Sequence, residues 1–520
     1  MGKEYGKSNK HSGFIRFAKY VERVGNKLPH PFYLFIVLIA VVLAASFICS
    51  TLGVSVTYTA ASQKGEITEV TAGVVNMLSK AELQKWLANF IKAFTDSPNL
   101  TSVLIITMCV AICDESNFFK VGLRKLLYNA PNSMITFVLA MVGVCSNICS
   151  DGGTILVVML GAIVFQAIGR NPWIGIIVAY GSAGAGYMGN LLPSVGDVVV
   201  SSITNGVSEP LGYMVNPMVN YFFQAAACII LALVTTVLTE KVLVPLYGDT
   251  DRRLSASGDR SKLQLSPQEN RGMKYTGFGT LAFIVVLLLF CVPASGFLRS
   301  EEGKLLPSSP LMSGLVPIIS VFFVVLGVCY GVGAGVIKHK NDIPKMMANG
   351  VKNVSSLVLI LFVVSEMLYV FNKSNLATVI SVSGERFLES IHFTGLPLMI
   401  AFIVVIAVTN LFMYSASAKW MILAPIFIPM FLNLGISPAV TQCLYRIGDS
   451  STNNLTPLNA AIVFAISMMN QYRIPEINQE EAGMGTLLSG QVVFSVVYLA
   501  VLIAMFLVFY FCGLPLGLGG

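Results

Sequence analysis

The chain has 520 residues, 55% of them hydrophobic and only 11% charged. Soluble domains carry about 25% charged residues, so a water-facing surface over most of this chain is excluded, and with it a sizeable soluble domain. The net charge of +7 sits in a few loops rather than along one face, which favours membrane orientation over nucleic-acid binding.

A basic N-terminus (1–32) precedes an apolar run at 33–53. The run is longer than a signal peptide's apolar region and lacks a small-residue cleavage site, so it reads as a retained first span. Further spans are predicted near 99–114, 173–204, 217–240, 277–297, 310–337, 351–373, 437–470 and 487–512; against the roughly 20 apolar residues a span needs, 99–114 is short, and 173–204 and 437–470 are over-long but broken by polar clusters. The stretches 132–170 and 396–436 hold two half-length apolar arms around a polar tip and are predicted as re-entrant hairpins. The expected fold is an all-α polytopic membrane protein with about nine transmembrane helices and two hairpins. Its halves are 33–240 and 277–512, joined by a cytoplasmic loop at 241–276. The ten cysteines show no ligand-like spacing and read as packing residues.

Lys and Arg crowd the N-terminus, the 241–274 loop and the 338–352 loop. The predicted spans put all three on one side, which should be cytoplasmic. The 471–486 loop dissents with Glu476, Glu480 and Glu481, but acidic residues count little in the sidedness rule. The first hairpin then enters from the cytoplasm and the second from outside, an inverted repeat in a plasma membrane.

Two stretches follow one script. Residues 146–172 read SNICSDGGTILVVMLGAIVFQAIGRNP and residues 412–438 read FMYSASAKWMILAPIFIPMFLNLGISP. Each has a polar cluster, a short apolar run and a Gly-x-x-Pro break (Gly169/Pro172 and Gly435/Pro438), in register at a shift of 266 residues. A second polar break follows each, GSAGAGYMGNLLPSVGD (181–197) and RIGDSSTNNLTP (446–457), placing Asn190 opposite Thr456. Paired, interrupted apolar segments in corresponding halves point to a transporter's binding site.

The breaks supply hard oxygens. The first half offers Asn147, Ser150, Asp151, Asn190 and Asp197; the second offers Asn410, Ser415, Ser417, Asp449, Ser450, Asn454 and Thr456. Such oxygens suit an alkali cation, and the half-helix N-termini suit a carboxylate. One site can therefore hold sodium beside an organic anion, with no other cofactor. Small polar residues also serve close helix packing. Arg446 reads as a fork for a substrate carboxylate or as the partner of Asp449 or Asp197. Trp420 reads as a stacking surface or a packing anchor, and Glu366 as a weaker candidate for proton handling. Lys419 is expected near the hairpin mouth, its stem snorkelling.

The segments VERVGNKLPHPF (21–32), SNICSDGG (146–153), YSASAKWMILAPIFIPMF (414–431) and YRIGDSSTN (445–453) resemble the AbgT family of p-aminobenzoyl-glutamate transporters. The resemblance implies a bowl-shaped homodimer and cation-coupled transport of p-aminobenzoyl-glutamate, with some members exporting sulfonamide antimetabolites. It places Asp197, Trp420, Pro438 and Arg446 in the substrate path and Asn410 and Asp449 at sodium. The expected function is cation-coupled secondary transport, by sodium or protons, of p-aminobenzoyl-glutamate or a related aromatic carboxylate. The alternatives are a proton-driven sulfonamide exporter and a sodium-coupled dicarboxylate carrier. A channel would not need two opposed hairpins, and no G-x-S-x-G elbow or His-rich motif supports a hydrolase. The expected substrate set is Arg446, Trp420, Asp197, Pro438, Asn190 and Ser417. The expected sodium set is Asn410, Asp449, Tyr414, Asn454, Asn147 and Asp151. The second unit, with Trp420, Arg446 and Asp449, should carry more of the substrate contact.

Overall fold

The computed structural model describes residues 31–518, apart from 62–66, 96–97, 250–263, 294, 306–308, 354, 457–458, 460, 476 and 479. The basic N-terminus through residue 30 and residues 250–263 of the charged 241–274 loop, on which the expected sidedness partly rests, lie outside the described residues.

The chain opens with α1 (Pro31–Thr51), an apolar helix whose side chains are mostly exposed. Its 21 residues match a hydrocarbon core roughly 30 Å thick. An antiparallel hairpin follows, β1 (Ser55–Ala61) on β2 (Ile67–Gly73), with Ser55 opposite Gly73. This strand pair is absent from the sequence expectation, which predicts no strand between the spans at 33–53 and 99–114. The first half then comprises α2 (Lys80–Thr95), α3 (Pro98–Glu115), α4 (Phe118–Asn129), α5 (Ile135–Val144), α6 (Ser150–Ala167), α7 (Pro172–Ala185), α8 (Val195–Ser208) and α9 (Tyr221–Leu238).

The second half begins with α10 (Pro267–Cys291), which starts ten residues before the expected span. A capping box explains the early start: Ser266 Oγ accepts from the Glu269 amide at 3.2 Å, and Glu269 Oε2 accepts from the Ser266 amide at 2.7 Å. Its apolar side chains stand largely exposed, Phe278 and Leu289 among them. There follow α11 (Leu315–Ala334), α12 (Asp342–Asn353), α13 (Ser355–Lys373), α14 (Leu376–Ser390), α15 (Gly395–Asn410), α16 (Ala416–Asn433), α17 (Pro438–Ser451), α18 (Ala461–Gln471) and α19 (Met484–Phe511).

Among the described residues, six helices are long and apolar enough to cross a membrane, or up to eight if each sharply bent pair is one span. The all-helical, multi-span class therefore stands, while a count of nine is not what length and composition alone return. The over-long segments 173–204 and 437–470 are each two helices with a break, as expected: α7 and α8, then α17 and α18. The stretches expected as hairpins form the helix pairs α5/α6 and α15/α16; α16, with 18 residues, is itself one of the six helices long and apolar enough to cross a membrane.

The 266-residue register holds in the backbone. It carries the last residue of α5 onto that of α15, both ends of α6 and α7 onto those of α16 and α17, and the first residue of α8 onto that of α18. The joints show why. Gly169 and Gly435 take positive φ of 73° and 77°, a left-handed helix stop that side chains disfavour. Asn171 then accepts from the Trp173 amide at 3.0 Å and Ser437 from the Val440 amide at 3.3 Å. Pro172 and Pro438 open the next helix at its first position, where a missing N–H costs nothing.

The repeats pack into one another. α1 lies on α13 and α11 on α3, while α6 lies on α18 and α16 on α8; within each repeat α5 packs on α7 and α15 on α17. At the α15–α17 crossing a β-carbon on Gly448 would stand 2.5 Å from the Ile403 carbonyl oxygen and 2.7 Å from Ile406 Cβ. Gly448→Leu should therefore destabilise the protein by about 1–3 kcal/mol or more, read as a lower melting temperature in detergent. An unchanged melting temperature would mean these helices are not in contact.

Candidate functional site

The two repeats touch where α8 begins beside the middle of α17. Ser194 caps α8, and Asp197 closes the box: its Oδ2 accepts from the Ser194 amide at 2.6 Å and from Ser194 Oγ at 2.9 Å. Its other oxygen, Oδ1, accepts from Arg446 Nη1 at 2.6 Å. Both side chains are buried, at 1% and 8% exposure. Of the alternatives left open for Arg446, the structure realises the ion pair with Asp197.

Trp420 is fully buried, so the expected stacking surface for substrate is closed. Its ring stacks on Tyr445 at 4.3 Å between centroids and 23° between planes, and its Nε1 donates to Thr204 Oγ1 at 3.0 Å. Thr204 Oγ1 in turn lies 2.7 Å from Gln442 Oε1, and Gln442 Nε2 donates to Asn220 Oδ1 at 2.9 Å. Both faces of the packing-versus-stacking question thus resolve to packing, because α8 and α17 enclose the indole.

Lys419 departs furthest from expectation. Instead of lying near the hairpin mouth, it is 1% exposed, with Nζ 2.6 Å from Asp449 Oδ1. The ammonium also donates to Asn410 Oδ1 and, at 3.3 Å, to the Met413 carbonyl. Asp449 supplies the opposite charge that makes the burial tolerable. Tyr445 donates to the Ala416 carbonyl at 2.5 Å and lies 3.4 Å from the same Asp449 oxygen.

Two further expected sodium ligands, Asn147 and Asn454, are also engaged. Asn147 Oδ1 accepts from Asn190 Nδ2 at 2.5 Å, while Asn147 Nδ2 donates to the Tyr187 carbonyl at 2.6 Å. These bonds pin the first hairpin tip to the break between α7 and α8. Asn454 Oδ1 accepts from Ser495 Oγ at 2.6 Å, and its Nδ2 donates to Gln491 Oε1 at 2.9 Å, tying the second break to α19. The Asp151 side chain lies outside the described residues. Among the described residues, no group of three or more His, Cys, Asp or Glu is arranged to hold a metal. Of the oxygens expected at sodium, those of Asn410 and Asp449 hold the Lys419 ammonium.

The profile of the AbgT putative transporter family matches residues 16–520. The chain belongs to the AbgT transporter family. A p-aminobenzoyl-glutamate transport protein of Escherichia coli (strain K12) is 30% identical over 502 residues, covering 96% of each chain. Two solved relatives share the fold. The Neisseria gonorrhoeae MtrF structure, described as illuminating a class of antimetabolite efflux pumps, aligns with TM-score 0.87 and 32% identity over 94% of this chain and 97% of its own. The Alcanivorax borkumensis YdaH transporter, described as having an unusual topology, aligns with TM-score 0.84 and 28% identity over 94% and 100%. The AbgT chain is thus a multi-pass membrane transporter.

Other expected residues of this AbgT transporter fall into simpler roles. Pro438 is buried and starts α17. Ser417 is half-buried in the first turn of α16, where Ser415 is the cap, accepting from the Ala418 amide at 3.4 Å. Tyr414 is 39% exposed at the second tip. Glu366 is buried; one oxygen accepts from Trp86 Nε1 at 2.7 Å, and the other has no partner among the described residues. Thr204, Asn220, Gln442 and Tyr445 were missed. For α17 a signal existed, because Gln442, Tyr445, Arg446 and Asp449 recur at spacings of three and four and mark one polar face.

Asp197→Ala leaves the Arg446 guanidinium buried and unpaired, which should cost about 3–5 kcal/mol. Removing both charges in Asp197→Ala/Arg446→Ala should recover part of that loss in a double-mutant cycle. Strictly additive melting-temperature changes would show that the pair is not coupled.

Proposed function

We propose that the chain is a secondary active carrier of p-aminobenzoyl-glutamate or a related aromatic carboxylate, working across the bacterial cytoplasmic membrane. The observation that carries this reading is Arg446, buried at the contact of the two repeats with Nη1 on a single Asp197 oxygen. A guanidinium binds carboxylates through a two-nitrogen fork, so the rest of the fork is the place for a substrate carboxylate. Arg446 sits between elements of opposite repeats, and rocking one repeat against the other would present it to each side in turn.

The aromatic part of the substrate needs a different partner from the enclosed Trp420. Tyr187 and Tyr414, 37% and 39% exposed beside the two breaks, offer reachable rings. The Escherichia coli relative's name supports p-aminobenzoyl-glutamate as cargo. The Neisseria gonorrhoeae relative supports a second reading in which the flux is outward and the cargo an antimetabolite. The driving ion in our reading is the proton, because Asn410, Asp449, Asn454 and Asn147 each already accept a hydrogen bond within the protein. We further infer an inverted orientation of the two hairpins, a cytoplasmic N-terminus, and a homodimer. The exposed apolar face of α10, which with α11 lines a groove of about 590 Å³, supports pairing through that surface.

Reconstituted proteoliposomes with pH and sodium gradients imposed separately test the proposal. Saturable flux of p-aminobenzoyl-glutamate should follow the pH gradient. No gradient-dependent flux of any aromatic carboxylate or sulfonamide would refute it. Tyr187→Ala and Tyr414→Ala should each raise KM by about 2- to 10-fold, the worth of one ring–ring contact, with kcat little changed.

A further inference from the structure

We propose that the Lys419 ammonium is a built-in cation, standing where a free sodium ion would sit at the second hairpin tip, so that this site is charge-balanced without sodium. The acceptor set is the first ground. An ammonium has three donors and no acceptor, and Lys419 meets three oxygens: Asp449 Oδ1 at 2.6 Å, Asn410 Oδ1 and the Met413 carbonyl at 3.3 Å. One carboxylate, one carboxamide and one backbone carbonyl are the donor chemistry that an alkali cation takes. The oxygens that made Asn410 and Asp449 sodium candidates are thus present, and a side chain of the same protein already uses them.

The second ground is enclosure. Lys419 and Asp449 are 1% and 5% exposed in their side chains, so water does not stand in for either partner. Asn410 is fixed from its other end, its Nδ2 facing the Asp449 carbonyl at 2.6 Å, Asn453 Oδ1 at 2.8 Å and Thr452 Oγ1 at 3.1 Å. That anchoring turns Asn410 Oδ1 toward the ammonium. The other charged or titratable groups nearby are Tyr445, whose ring lies 6.0 Å from Nζ, and Arg446, already neutralised by Asp197. A sodium ion added beside Lys419 would be a second cation on one buried carboxylate, without a further anion to balance it.

The third ground is the mirror repeat. At the 266-residue shift, Asn410, Lys419 and Asp449 correspond to Val144, Gly153 and Ala183, all buried. The backbone is duplicated, but carboxylate, ammonium and carboxamide are lost together. The trio therefore behaves as one ionic unit rather than as a binding shell left over from the duplication.

The experiment reads sodium binding itself, so it stands apart from the carrier proposal and from its flux assay. Full-length protein purified in detergent is melted in sodium chloride and in choline chloride at equal ionic strength. The wild type should show no sodium-specific, saturable shift. Lys419→Ala should melt lower than the wild type in choline and regain about 3 °C or more in saturating sodium, because the vacated pocket now takes the ion. That gain should vanish in Lys419→Ala/Asp449→Asn. A sodium-specific stabilisation of the wild type that Asp449→Asn removes would overturn the proposal, as would a folded Lys419→Ala that ignores sodium. If Lys419→Ala does not fold, the wild-type comparison still decides the matter.

Discussion

Charge and irregular backbone inside a hydrocarbon layer must find their partners within the protein, and the rest of this structure follows from that constraint. Four interrupted helices bring polar groups to membrane depth, and almost every one is answered by a neighbour. Asp197 serves two masters, the N-terminus of α8 and the guanidinium of α17. Asp449 and Asn410 enclose the Lys419 ammonium. The carboxamides of Asn147, Asn190 and Asn454 hold loop backbone or a facing helix. Burying ions this way stabilises little by itself, since desolvation offsets most of the attraction. What it supplies is position, because each charge tolerates one arrangement of the surrounding helices.

The duplicated backbone and the unduplicated chemistry separate two kinds of information. Gly169 with Pro172 and Gly435 with Pro438 build the same joint twice, and the helices after them share their boundaries. The residues that line the joints do not repeat. Tyr180 stands at the register position of Arg446, and its buried hydroxyl has no partner among the described residues. Among the described residues, the two deeply buried ion pairs draw on the second repeat, completed by one residue of the first, Asp197.

How much of this was legible in the chain depended on the range of the interaction. Helix stops, caps and the 266-residue register are local, and the Gly-x-x-Pro breaks disclosed them. So was the polar face of α17, spaced at three and four residues. Lys419 was misplaced because a lysine beside a tryptophan resembles an interfacial pair, while its partner Asp449 lies 30 residues on, in another helix. Trp420 was ambiguous for the same reason: only the approach of α8 and α17 decides that its ring is enclosed. The β1–β2 hairpin was passed over because the mixed charges around it outweighed the β-branched alternation of SVTYTAA and ITEVTAG. The amphipathic helices α2 and α12 do not read as spans in the chain, since their apolar residues occupy one face only.

The packing of α1 and α11 each on a helix of the other repeat has a consequence for how the protein is made. α1 rests on α13, and α11 rests on α3. A ribosome therefore releases α1 into the lipid some 300 residues before its partner exists, and α3 waits similarly for α11. Neither half closes a core alone, so assembly is gated by the last-made elements rather than advancing helix by helix. Truncation after α3 and before α11 leaves two unmatched surfaces in the bilayer, which is a ready signal for membrane quality control.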